Sequence, residues 1–105
     1  MLKIAVDFDG TICKRNQVPR VGDFFSEEPN EFAQSALDLL KKEYDVYILT
    51  NRDPDEWLSI YKWLNDNGFP KGIRVTNIKE KDTVAYIDDR AIRFTNWLDI
   101  TKYFL

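Results

Sequence analysis

Histidine is absent from this 105-residue chain, and cysteine occurs once, as Cys13. The first absence removes Ser-His-Asp and Cys-His nucleophile systems, histidine-ligated zinc and histidine pH switching. The second removes any internal disulfide, so folding needs no oxidising compartment and a cytoplasmic location is expected. No apolar run reaches the length of a membrane span or of a signal-peptide core, so no membrane partner is expected. Repeats, low-complexity tracts and Gly/Ser-rich linkers are missing too. Positive charge is not in excess: 15 basic against 18 acidic side chains leave a net charge of −3, which argues against wholesale binding to nucleic-acid backbone while leaving room for a local basic patch, and no specific nucleic-acid binding is expected. Chemistry must rest on Asp, Glu, Lys, Ser, Thr or Cys13.

What is present suffices for a core. Apolar residues make up 44% of the chain and aromatics 14%, and the length suits one domain spanning residues 1–105. Residues 2–8 (LKIAVDF) form an apolar run ending in acids and Gly10, as a buried parallel strand does before a turn. Residues 13–28 are polar and broken by Pro19 and Gly22, a loop with room for a small hairpin. A helix is expected over 29–43, with Pro29 in its first turn and Phe32, Ala33, Ala36, Leu37 and Leu40 as its apolar stripe. Residues 45–50 (DVYILT) read as a second strand. Asp53 as N-cap, Pro54 and Glu56 start a second helix, whose apolar face is Trp57, Leu58, Tyr61 and Leu64 and whose C-cap is Gly68. Residues 73–78 and 84–87 read as further strands, and Asn96 caps a last short helix over 97–104. This order predicts an α/β fold, a three-layer Rossmann-like domain with a mainly parallel sheet.

In such sheets ligands bind at the carboxyl ends of the strands. Asp7, Asp9, Gly10 and Thr11 stand at the first of these ends, Thr50, Asn51 and Arg52 at the second, Asn77 and Lys79 at the third, and Asp88, Asp89 and Arg90 at the last. Four carboxylates on one rim repel one another without a cation, and an all-oxygen donor set is what Mg²⁺ prefers. Gly10 permits a bend that brings the second aspartate back beside the first. One could then act as nucleophile towards a metal-held anion and the other as general acid, with Thr50 and Lys79 binding the anion. Cys13, Trp57, Tyr61 and Trp63 are read as packing residues. Lys14, Arg15 and Arg20, in the loop after the first rim segment, are either solvated or contacts for an anionic substrate.

AVDFDGTI, residues 5–12, resembles the first motif of the haloacid dehalogenase (HAD) superfamily, a hydrophobic strand followed by DxDGT. YILTNR (47–52) is similar to the second motif and VAYIDDRA (84–91) to the fourth, in matching order across nearly the whole chain. The resemblance implies a small HAD-like catalytic core with no cap domain. It implies that Asp7 forms an aspartyl-phosphate, that Asp9 is general acid and base, and that Thr50, with Asn51 beside it, binds the phosphoryl group. Mg²⁺ would be held by the Asp7 side chain, the Asp9 backbone carbonyl and Asp88, with Asp89 orienting a metal-bound ligand. For the motif lysine, Lys79 is preferred to Lys81, because a parallel strand restarts at the opposite edge and Lys79 lies nearer the carboxyl rim. An acid at position 9 favours phosphoryl transfer over dehalogenation, since an alkoxide benefits from a proton on leaving and a halide does not. The expected activity is a Mg²⁺-dependent phosphohydrolase acting on a phosphorylated substrate. The alternative is a catalytically weak or inactive metal-binding, regulatory module with the same fold.

Overall fold

A computed structural model describes residues 1–14 and 27–105. Four strands, β1 (Lys3–Val6), β2 (Asp45–Leu49), β3 (Val75–Thr76) and β4 (Thr83–Ile87), form one sheet in the order β3-β2-β1-β4. Every pairing is parallel, with Ala5 opposite Tyr47 in β2 and opposite Tyr86 in β4. β1 thus has a neighbour on each side, and its Ile4, Ala5 and Val6 are all buried, as expected of a central parallel strand.

Helices α1 (Ala33–Leu40) and α2 (Trp57–Asp66) follow β1 and β2. Both crossovers step in the same direction along the sheet, so a common hand puts both helices on one face. Accordingly Leu37 of α1 and Ile60, Trp63 and Leu64 of α2 share a core with Ile4, Val6, Val46, Ile48 and Val75. Trp63 anchors this layer: its ring meets Phe8 edge to face at 5.2 Å, and its indole N–H donates to the Glu27 carbonyl at 3.1 Å.

Ala5 and Tyr47, the alternate positions of β1 and β2, are buried on the opposite face. There the chain returns from β3 to β4 through residues 77–82 without a helix. The Tyr47 hydroxyl lies 2.8 Å from Thr83 Oγ1 and accepts from the Glu80 N–H at 3.1 Å. Arg74 stacks over the Tyr47 ring at 5.1 Å and bridges Asp45, at 2.7 Å, to Glu80. Lys3 adds a second cation on Glu80 at 3.1 Å.

Several element limits differ from the sequence reading. The first helix begins at Ala33, not at Pro29. Pro29 instead forms an antiparallel bridge with Cys13, and the Asn30 N–H donates to the Ile12 carbonyl at 2.9 Å. The backbone of the post-β1 loop needs these partners, and that outweighs the local preference of proline for a first helical turn. Phe32 adopts a left-handed backbone, φ 67°, and is exposed, so it is lost from the expected stripe. In α2 the buried residues are Ile60, Trp63 and Leu64, while Leu58 is 82% exposed. The third strand shrinks to two residues, and α3 (Trp97–Thr101) is shorter than expected, although the Asn96 side chain does accept from the Asp99 N–H at 2.9 Å. Glu56 caps the Asp53 N–H at 3.3 Å, and Gly68 has the left-handed φ of 73° expected of a C-cap. The expected hairpin, with Arg15 and Arg20, lies outside the described residues.

Arg74 and then Lys3 hold the Glu80 carboxyl down at about 2. A carboxylate depressed on folding contributes stability that is complete above its ordinary value of 4.5 and is lost as pH falls through about 2. The melting temperature of Glu80→Gln should therefore lie below wild type near neutrality, and thermal melts across the acid range should show the gap closing towards about pH 2.

Candidate functional site

The Asp7 N–H donates to the Ile87 carbonyl at 2.9 Å, carrying the β1–β4 ladder one residue past the strand and setting Asp7 beside the acids that follow β4. Carboxylate oxygens of Asp7, Asp88 and Asp89 lie within 4.8 Å of one another, with Asp7 half-buried and the other two exposed. The Arg90 N–H donates to Asp88 Oδ1 at 2.7 Å, so Arg90 engages this pair through its backbone.

Burial pushes the Asp7 carboxyl up to about 7; the charge of Asp88, then those of Asp89 and Asp9, add to the rise. The Phe8 N–H, donating to Asp7 Oδ1 at 2.9 Å, opposes it. A divalent cation would relieve this repulsion, and three hard carboxylate donors from two adjacent strand ends fit Mg²⁺. A second acidic group, Asp53, Asp55 and Glu56, sits in the first turn of a helix, where acids suit the dipole.

Asp9 does not join the three carboxylates. Its Oδ2 accepts from Arg52 Nε at 2.7 Å and its Oδ1 from Arg52 Nη2 at 3.0 Å. Arg52 also donates to Glu56 Oε1 at 2.8 Å, tying Asp9 to the start of α2. Burial disfavours the charge on Arg52, but the hydrogen bond and charge of Asp9, with Glu56, outweigh it and raise its pKa. Gly10 has a left-handed φ of 84°, but the turn does not bring Asp9 into the carboxylate group of Asp7 as expected, because the Arg52 fork holds it. The loop that Gly10 begins is closed by the Phe8 carbonyl, which accepts from the N–H groups of Ile12 and Cys13, both at 3.0 Å. Asn30 donates from its side chain to the Thr11 carbonyl at 2.8 Å, and the Thr11 hydroxyl is buried without a hydrogen-bond partner among the described residues.

Thr50 is buried at the end of β2, where its hydroxyl accepts from the Arg52 N–H at 3.1 Å; Asn51 beside it is exposed. A cavity of about 270 Å³ opens next to Asp7 and Asp88, walled by Ala5, Leu49, Tyr86, Ile87 and Ala91. Lys79 lines it, its Nζ 5.1 Å above the Tyr86 ring. Lys81 is not among its walls. Cys13 is fully buried and packs as a small apolar residue. Lys14 pairs with Glu28 at 3.2 Å on the surface.

Two contributors have no assigned role in the sequence reading: Arg52 as the partner of Asp9, and Tyr86 as a cavity wall. Strand alternation could have placed Tyr86 on the face of Ala5. Nothing local in the sequence marks Arg52, because its partner belongs to a different strand end.

Among the described residues no helix is long and apolar enough to cross a membrane. Comparison with known protein families, characterised proteins and solved structures returns no match.

The folded chain binds a proton at Asp7 more tightly than the unfolded chain does. The stability linked to it is complete below the ordinary value of 3.8 and is lost as pH rises through about 7. Without metal, wild type should lose melting temperature relative to Asp7→Asn as pH rises from about 4 to about 8. Added Mg²⁺ should raise the wild-type melting temperature more at about pH 8 than at about pH 5, since ligands must be deprotonated to bind.

Proposed function

We propose that the chain is a Mg²⁺-dependent phosphohydrolase acting on a phosphate monoester through an aspartyl-phosphate at Asp7. The observation that carries this reading is the position of Asp7: it ends the central strand, shares a rim with Asp88 and Asp89, and opens onto a cavity that Lys79 also lines. The resemblance of the three strand-end motifs to the HAD superfamily supports it, and a cap-less, three-layer Rossmann-like core belongs to the same reading.

In this mechanism the Asp7 carboxylate attacks phosphorus in line, the oxygen–phosphorus bond to the alcohol breaks, and Asp7 carries the phosphoryl group. Asp9 protonates the departing oxygen and then takes a proton from the water that hydrolyses the acyl phosphate. Lys79 offsets charge on the phosphoryl oxygens, and Thr50 with Asn51 beside it would bind those oxygens from the end of β2. Asp7, the Asp9 carbonyl, Asp88 and Asp89 would hold Mg²⁺, which supplies charge neutralisation and orientation of the phosphoryl group.

One observation favours a second reading, a metal-binding module with weak or no turnover. Both oxygens of Asp9 are engaged by the Arg52 fork, so Asp9 must leave that pair before it can reach a leaving group. The two readings part on turnover. The phosphohydrolase should hydrolyse members of a phosphate-ester panel only with Mg²⁺, and Asp7→Asn should lower the rate by at least about a thousandfold while leaving the circular dichroism spectrum intact. Full activity in that variant overturns the mechanism; thermal stabilisation by Mg²⁺ without turnover of any ester selects the metal-binding module.

A further inference from the structure

We infer that the β4 flank and residues 92–105 form a two-fold interface between two copies of this chain. β4 is the last strand of the sheet, and its outer edge is unpaired among the described residues. Its sequence TVAYI carries neither charge nor proline, the usual guards of an exposed edge. Val84 and Tyr86 are 53% and 45% exposed.

The segment that follows is also unsupported. Phe94, Trp97, Leu98, Tyr103 and Phe104 are all more than half exposed. The hydrogen bonds and the ion pair of residues 92–105 stay within the segment among the described residues. A five-residue helix such as α3 is too short to persist in water without packing.

Together the flank and the segment expose on the order of 1,000 Å² of apolar side chain, taking about 200 Å² for each aromatic. The largest patch on a typical monomer is about 300–600 Å². A stable interface buries about 800 Å² per partner, so the area suits a dimer. The occupant is a second copy because each chain carries both parts, an uncovered flank and a detached apolar segment. A closed two-fold uses both parts from both chains and leaves none over. Each 92–105 segment then lies across the other copy's β4. Tyr86 and Ile87 belong both to this flank and to the cavity beside Asp7, so the interface also closes that cavity on one side.

Sedimentation equilibrium at about 50 µM, a concentration that populates a dimer of micromolar or tighter affinity, tests the inference without reference to catalysis. Wild type should sediment as two chains, as should Leu58→Asp, an exposed control on α2 remote from β4. Val84→Asp and the double variant Trp97→Asp/Leu98→Asp should sediment as one chain with unchanged circular dichroism. Should Val84→Asp fail to fold, the double variant, in a segment detached from the core, decides. A single-chain mass for wild type, assemblies with no discrete dimer, or a dimer that survives the double variant overturns the inference.

Discussion

Parallel hydrogen bonding of β1 to β2 on one side and to β4 on the other is the constraint on which the site depends. It buries Ile4, Ala5 and Val6, and it brings three strand ends to one rim. The ladder continues through the Asp7 N–H to Ile87, so the backbone rather than a flexible side chain sets the distance from Asp7 to Asp88. The acidic cluster is therefore a consequence of register. A one-residue slip of β4 would turn its side chains to the opposite face and dissolve the cluster.

Two aspartates that are near neighbours in sequence end in opposite electrostatic settings. Asp7 is half-buried among carboxylates and its proton affinity rises. Asp9, beyond the strand and before the left-handed Gly10, is carried to Arg52 at the end of β2. The environment separates their roles: one carboxyl is destabilised as an anion, while the other is clamped by a guanidinium fork. Arg52 links the fork to Glu56, so the start of α2 and the loop after β1 are mechanically joined.

The two faces of the sheet are covered by different means. On one, α1 and α2 pack Leu37, Ile60, Trp63 and Leu64 onto the strands. On the other, Tyr47, Arg74 and Glu80 form a polar and aromatic brace under the six-residue return to β4. The brace reaches no further than Thr83, the first residue of β4, and the apolar surface that remains is concentrated in the rest of that strand and in residues 92–105.

Runs such as KIAV and DVYIL were legible as strands because β-branched and apolar residues cluster there between turn formers. The Asp53–Glu56 start of the second helix, its end at Gly68 and the Asn96 cap were legible for the same local reason. The sequence by itself also determined that acids, a threonine and a lysine stand at strand ends. Which of them meet was decided by tertiary structure. Pro29 and Phe32 follow the needs of a loop backbone rather than helix preference, Leu58 turns outward where Ile60 turns in, and Asp9 finds Arg52 rather than Asp7. Local sequence specifies conformation over a few residues, whereas these contacts join distant segments whose separation is set only when the strands align.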